Sequence, residues 1–413
     1  MRRIQVPLLS VATIVGLLAA FITSAAAQVV ESSRAASFQP ALRIMDKQLT
    51  NLNAQIAPAT APTSAGAGTD SAASNTQNRT SNESGPQPNA LKNVVRRWLD
   101  LQNATLNFRY RYVDNSAGVI TTNQPQHRET LRWRLKFDKA GRYALNFGLF
   151  TGVRFTSGWD NTGWGINSAQ RNLAFKALYF AAQPIAGIEA QVGGLYIVKG
   201  ESTEFTTYDE DGYVTGERVS IRRPKELFFD EISVTNAYFV GGTGPANIPV
   251  SKRLPHMGEP NYQHYLVDKK MGKRAAVSAD YTLESHRQTW RQAVKVNLRE
   301  IQVVDSIIFE NYQRTNIDRD HGFAVTAEKA LNKKLTLQGG YASIDSKYGP
   351  LNADRFNIGN RAFTMVTFNS GPVTASFFVT TAVRQNGVLP QRTLSNTVFT
   401  YNVLPALKRT GLF

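Results

Sequence analysis

Cysteine is absent from the 413 residues, which removes disulfide bonds and thiolate metal sites together. Long apolar runs are missing as well: beyond residues 6–22 no stretch approaches the ~20 uncharged apolar residues of a spanning helix. Insertion of the remaining chain into a membrane therefore requires strands closed into a barrel. Acidic residues are scarce, 31 Asp and Glu against 47 Lys and Arg, a formal charge of +16. That excess predicts anionic partners such as small anions or lipopolysaccharide phosphates. Nucleic acid fits poorly, because the cations stand singly at alternate positions rather than in a patch interleaved with stacking aromatics. Signatures of chemistry are missing too. His127, His256, His264 and His286 have no metal-ligand spacing, no serine sits in a nucleophile elbow, and no glycine-rich phosphate loop opens a helix. Neither cofactor, metal nor enzyme activity is expected.

The first residues read as an export signal: Arg2 and Arg3 form the charged region, residues 6–22 the apolar one, and Ala25, Ala26 and Ala27 the cleavage site, so that residues 1–27 are removed. A retained anchor is the competing reading. Loss of Arg2 and Arg3 leaves a charge of +14. Within residues 28–56, Leu42, Met45, Leu49, Leu52 and Ile56 recur at heptad spacing, a short amphipathic helix. Residues 57–89 are mostly Ala, Ser, Thr, Gly, Asn and Pro, too poor in apolar side chains to bury a core, and are expected to be a disordered linker. Over residues 90–102, Leu91, Val94, Val95, Trp98 and Leu99 share one apolar face of a second amphipathic helix.

From Thr105 onward the hydrophobic period is two, which marks residues 103–413 as a β region. Leu106, Phe108, Tyr110 and Tyr112 alternate with Arg109 and Arg111; Leu131, Trp133, Leu135 and Phe137 alternate with Arg132, Arg134 and Lys136. Successive strand side chains point to opposite faces, so each ladder has one apolar face and one cationic face. At the bilayer midplane each cation would cost roughly 2–4 kcal/mol on the lipid side, which places all five towards a wet interior. Runs of this kind begin near residues 105, 130, 143, 173, 188, 229, 275, 288, 303, 323, 335, 362, 373 and 396, which makes fourteen strands. A hairpin formed by residues 204–211 and 213–221 around Asp211-Gly212 would raise the number to sixteen. Residues 240–273 read as irregular. Connections alternate between short, as at 138–141 and 183–187, and long, as at 114–126 and 153–171, the asymmetry of an outer-membrane barrel.

On the opening strand with Arg109 and Arg111, the preceding Trp98-Leu99-Asp100-Leu101 and the strand train that follows, the chain resembles the outer-membrane porins of Gram-negative bacteria. The resemblance implies an all-β transmembrane antiparallel barrel in the cell outer membrane. It further implies passive diffusion of small hydrophilic solutes, contact with outer-membrane lipid and lipopolysaccharide, and a homotrimer as one assembly. The terminal Phe413 is similar to the aromatic residue that ends many such barrels, although Pro405 cannot donate to a ladder. Arg109, Arg111, Arg132, Arg134 and Lys136 are the candidate pore-lining cations, which would favour anions. Glu189 and Asp280 are lumen carboxylates by parity. Glu201, Glu204, Asp209, Glu210 and Asp211 form a candidate constriction loop rather than a calcium site, because the spacing lacks a calcium-loop pattern. Two other classes remain open: a barrel enzyme, for which Asp318, Asp320 and His321 are weak candidates, and a soluble secreted β-sandwich or adhesin.

Overall fold

The computed structural model describes residues 97–152, 159, 163, 173–201, 213–222, 227–239, 250–285, 287–298, 303–316, 321–345, 359–384 and 392–410. All of them belong to the second of two units, Ile44–Phe413. The leader, the heptad helix, the linker and residues 90–96 lie outside the described residues.

Sixteen antiparallel strands form one closed barrel: β1 (Leu99–Asp114), β2 (Ile120–Lys136), β3 (Tyr143–Phe150), β4 (Ala174–Ile185), β5 (Ile188–Tyr196), β6 (Tyr213–Ile221), β7 (Glu231–Tyr238), β8 (Tyr262–Met271), β9 (Ala275–Glu284), β10 (Arg287–Asn297), β11 (Ser306–Arg314), β12 (His321–Ala330), β13 (Leu335–Ile344), β14 (Gly359–Ser370), β15 (Val373–Arg384) and β16 (Thr393–Asn402). Each strand pairs with its sequence neighbours, and β1 pairs with β16 from Thr105↔Asn402 to Asp114↔Thr393. Side-chain bonds reinforce this seam. Asp114 accepts from the Thr393 backbone N–H at 2.8 Å and from Arg392 at 2.5 Å, and Thr400 Oγ1 donates to Asn107 Oδ1 at 2.8 Å.

The alternation of the ladders is what the strands display. Phe108 and Tyr110 are 44% and 50% exposed on the outer face, whereas Arg109 and Arg111 on the inner face are 1% and 2% exposed. Trp133 stacks on Phe147 of β3 at 5.1 Å, which extends the outer aromatic surface across strands. No second sheet covers that surface among the described residues, so the sandwich alternative fails.

Several boundaries differ from the sequence reading. Sixteen is the higher of the two strand numbers the sequence allowed; β6 is the second arm of the expected hairpin, β8 is the strand not expected, and residues 204–211 lie outside the described residues. Strand β8 falls in the stretch read as irregular because both of its faces are mixed. Gln263 and Lys269 share the outer side with Tyr265 and Val267, while His264 and Asp268 face inward with Leu266. The long connection expected over 114–126 is a turn at 115–119, in which Asn115 Oδ1 accepts from the backbone N–H groups of Ala117 and Val119. Pro125 is tolerated in β2 because β3 pairs only with Thr130–Lys136, which leaves an edge where no N–H is needed. Of the second amphipathic helix, Arg97 and Trp98 are helical, but Leu99 already opens β1 and pairs with Leu135. Ladder pairing with β2 outweighs the helical face of so short a segment. At the other end β16 stops at Asn402, and Pro405 sits in the first turn of helix α2 (Leu404–Arg409), where its missing N–H costs nothing. Phe413 lies outside the described residues.

The connections on the β2–β3 side are tight. Asp138 accepts from the Tyr143 N–H at 3.1 Å and from Arg142 Nε at 3.3 Å. Desolvation raises the Asp138 carboxyl, but these bonds outweigh it and hold the group below its ordinary value. The turn therefore keeps this contribution at neutral pH and loses it as the pH falls through the depressed pKa.

Gly193 and Gly216 face each other across β5 and β6. Gly193 has φ +129°, and a Cβ there would lie 2.4 Å from the Leu178 carbonyl; one at Gly216 would lie 2.3 Å from the Asn236 carbonyl. Gly193→Ala is expected to destabilise the barrel by at least about 1–3 kcal/mol, read as a lower urea midpoint in detergent micelles. An unchanged midpoint would refute the steric requirement.

Candidate pore lining

Five sequence-predicted cations share the inner face, but register separates them by height. Arg109 and Arg111 stand opposite Gln126 and Gln124, whereas Arg132 and Arg134 stand opposite Asn103 and Asp100. At ~3.4 Å per residue, the two groups lie on the order of 20 Å apart along the wall. None of the five faces another across the β1–β2 ladder, so the penalty of up to roughly 1 kcal/mol for directly opposed like charges is avoided. Arg132, Arg134 and Lys136 are half-buried, and Arg134 donates to the Gly141 carbonyl at the turn end.

Upper and lower cations have different surroundings. Arg109 Nε donates to Gln126 Oε1 at 2.7 Å, and its guanidinium lies 4.4 Å from the Trp159 ring centroid. Arg128 lies 5.2 Å from the centroid of the same ring. Trp159 belongs to the connection between β3 and β4, and its carbonyl accepts from Gln126 Nε2 at 3.4 Å. That connection also bridges to β2 through Gly163↔Gln126. It is thus drawn against the inner wall, and the indole holds two guanidinium groups by cation–π attraction. Lower down, Arg132 is held between Phe150 at 5.3 Å and Tyr196 at 4.6 Å. Arg128 and Trp159 were missed in the sequence. Continuing the period of two back from Arg132 reaches Arg128, but nothing local announces that Trp159 turns inward.

The wall across the barrel, β8 to β11, carries carboxylates. Asp280 accepts from Arg291 Nε at 2.7 Å and lies 3.4 Å from His264 Nε2. Glu284 and Glu310 are buried on the same face, together with Arg314. Glu189, the other predicted lumen carboxylate, accepts from Gln191 Nε2 at 2.8 Å and from Arg222 at 3.0 Å near the turn end. Arg218 of β6 is also interior, donating to Thr235 Oγ1 at 2.9 Å and Gln191 Oε1 at 3.2 Å.

One segment crosses between these walls. After β5 the chain reaches β9, where the Glu201 N–H donates to Ser278 Oγ at 2.8 Å. A Cβ on Gly200 would lie 2.3 Å from that of Ser278, so only glycine permits the approach. The candidate constriction loop therefore begins inside the barrel with Glu201; Glu204, Asp209, Glu210 and Asp211 lie outside the described residues, as do Asp318 and Asp320. No group of three His, Asp or Glu side chains able to hold a metal occurs among the described residues.

A short helix, α1 (Val250–Arg253), closes the upper end of β4 to β6. Arg253 donates to Thr215 Oγ1 at 3.1 Å and to the Lys176 carbonyl at 2.7 Å, and Val250 packs on Gly194. Burial pushes the Arg253 guanidinium down to about 10, with Tyr213 opposing, which leaves it charged at neutral pH.

No family model matches the chain, and no curated protein matches it. Among solved structures it is similar to a multiply substituted Rh. blastica porin, with TM-score 0.47 and 10% identity over 74% of this chain and 99% of that one. A triple mutant of Rhodopseudomonas blastica porin gives TM-score 0.45, 10% identity and the same coverage.

Asp280→Ala is expected to lower the unfolding free energy by about 3–5 kcal/mol, because it removes the carboxylate that Arg291 pairs with in a buried site. Guanidinium unfolding in micelles measures this, and a loss within about 1 kcal/mol would show that the pair is solvated like a surface bridge.

Proposed function

We propose that the chain is an outer-membrane porin, a water-filled channel for passive diffusion of small hydrophilic solutes that favours anions. One observation carries the reading: a closed ring of sixteen strands with exposed aromatics outside and half-buried Arg132, Arg134 and Lys136 inside. Barrels of this strand number are wide enough to leave an aqueous channel, whereas eight-stranded ones are filled by their own side chains. The outer aromatics meet hydrocarbon, and the short connections face the periplasm. Outer-membrane lipid and lipopolysaccharide phosphates are the surrounding partners, and a homotrimer is the assembly. Catalysis has no place in this reading.

The preference for anions rests on the sign of the side chains that line the path. Asp280 is matched by Arg291 on its own wall, so its field is largely cancelled there. Arg132, Arg134 and Lys136 line the path on the opposite side, with Asp100 the one acidic residue opposite them in the β1–β2 register. A row of cations lowers the barrier for negative solutes. The segment leading to Glu201 narrows the path and sets the size of solute admitted.

Planar-bilayer recordings across a salt gradient test this. The wild type is expected to give a reversal potential of anion sign, and replacing Arg132, Arg134 and Lys136 by Gln should lower the anion-to-cation permeability ratio by about fivefold, the equivalent of about 1 kcal/mol. An unchanged ratio assigns the three cations to hydration alone, and a refolded protein without conductance is no pore.

A further inference from the structure

The end of the barrel that carries the short connections bears a ring of exposed cations that the channel does not use. Lys139 lies in the β2–β3 turn, Lys273 in the β8–β9 turn, Lys333 and Lys334 in the β12–β13 turn, and Lys408 and Arg409 in α2 after β16. These positions are distributed around the circumference. Each of the six is exposed. None forms an ion pair with an acidic residue among the described residues, in contrast to Arg142, Arg222 and Lys269 at the same end, which do.

Beside these cations stand large apolar side chains at the margin of the outer face. Phe137 is 53% exposed two residues before Lys139, Met271 is 50% exposed two before Lys273, and Leu331 is 55% exposed two before Lys333. Period two carries each of them outward, in line with the aromatic surface; Phe137 lies 6.1 Å from Phe180 of β4. The same arrangement is thus built three times: an apolar side chain directed to hydrocarbon, and a cation just beyond it at the level of the headgroups. Asn332 fixes one of them, its Oδ1 accepting from the Lys334 and Leu335 N–H groups at 2.8 and 3.0 Å, which presents Lys333 and Lys334 together.

We propose that this rim is a docking collar for anionic phospholipid, binding headgroup phosphates of the leaflet on the short-turn side while Phe137, Met271 and Leu331 contact the acyl chains. The collar rests on the pore reading for its place at a membrane surface. Chemistry selects the partner: ammonium groups at the edge of an apolar belt match a phosphate joined to hydrocarbon. A polyanion of the cell wall would match the charges and leave the apolar residues without a role. Lys and Arg near an anionic surface act additively over a Debye length, so a ring of six discriminates strongly although each contact is weak.

Folded protein in detergent is offered phosphatidylglycerol or phosphatidylcholine with the same acyl chains, and the lipid retained per chain is counted by native mass spectrometry. Phosphatidylglycerol should be retained over phosphatidylcholine by about tenfold or more, as roughly fivefold per engaged cation allows. The variant K139Q/K273Q/K333Q/K334Q/K408Q/R409Q should lose that preference with unchanged single-channel conductance, and K139R/K273R/K333R/K334R/K408R should keep it. Millimolar inorganic phosphate should not displace the lipid. Equal retention of the two lipids, an unaltered preference in the Gln variant, loss of preference in the Arg variant, or displacement by inorganic phosphate overturns the collar. So does sedimentation with purified peptidoglycan that the Gln variant loses in the absence of any lipid preference. Conductance of the wild type in the same preparation separates these outcomes from failure of the pore itself.

Discussion

Every backbone N–H and C=O in a hydrocarbon layer must find a partner within the protein, since an unsatisfied group costs several kcal/mol there. Closure of the sheet meets that demand only when β1 joins β16, and the chain spends its most specific side-chain bonds on that seam. Asp114 ties Arg392 and Thr393 at its upper end, and Asn107 ties Thr400 and the Arg128 carbonyl lower down. Gly193 and Gly216 serve the same constraint from within the sheet, where a side chain would press on neighbouring carbonyls.

Once the ring is closed, the division between faces follows. Phe108, Tyr110 and Trp133 stand on the outer face, and Arg109, Arg111, Arg132 and Arg134 on the inner one. An interior with so many guanidinium groups is held apart by three devices. Register places Arg109 and Arg111 well above Arg132 and Arg134. Rings from inward-facing residues, Trp159 among them, separate Arg109, Arg128 and Arg132 by cation–π contact. Carboxylates on β9 and β11 occupy the far wall, where Asp280 is paired locally with Arg291. Guanidinium groups thus gather on the inner face of β1 and β2, and carboxylates on that of β9 and β11.

The two ends of the barrel differ for a related reason. Longer connections turn inward: the one after β3 to place Trp159, the one after β5 to place Glu201 on Ser278. Tight turns at the other end have no length to do so and instead leave their cations in solvent beside the apolar belt. The proposed selection of solute and the proposed attachment to the surrounding leaflet therefore fall to opposite ends.

Much of this was legible in the linear chain, because facing in a strand is a local property with period two. The outward Phe108, Tyr110 and Trp133 and the inward Arg109 to Lys136 follow from alternation alone, as do most strand positions and the change of period that opens the β region. Strand β8 was hidden because polar residues stand on both of its faces, Gln263 and Lys269 outside and His264 and Asp268 inside, which erases alternation. The helix expected to reach residue 102 gave way at Leu99 because pairing with a neighbouring strand cannot be seen in the segment itself. Which cations share a level, which loop turns inward and how Asp280 is compensated depend on register and closure, and these couple residues hundreds of positions apart. Sequence by itself determined which side chains face water and which face lipid; only the closed tertiary structure decided their heights and partners, since those are set by long-range hydrogen-bond pairing that no local pattern encodes.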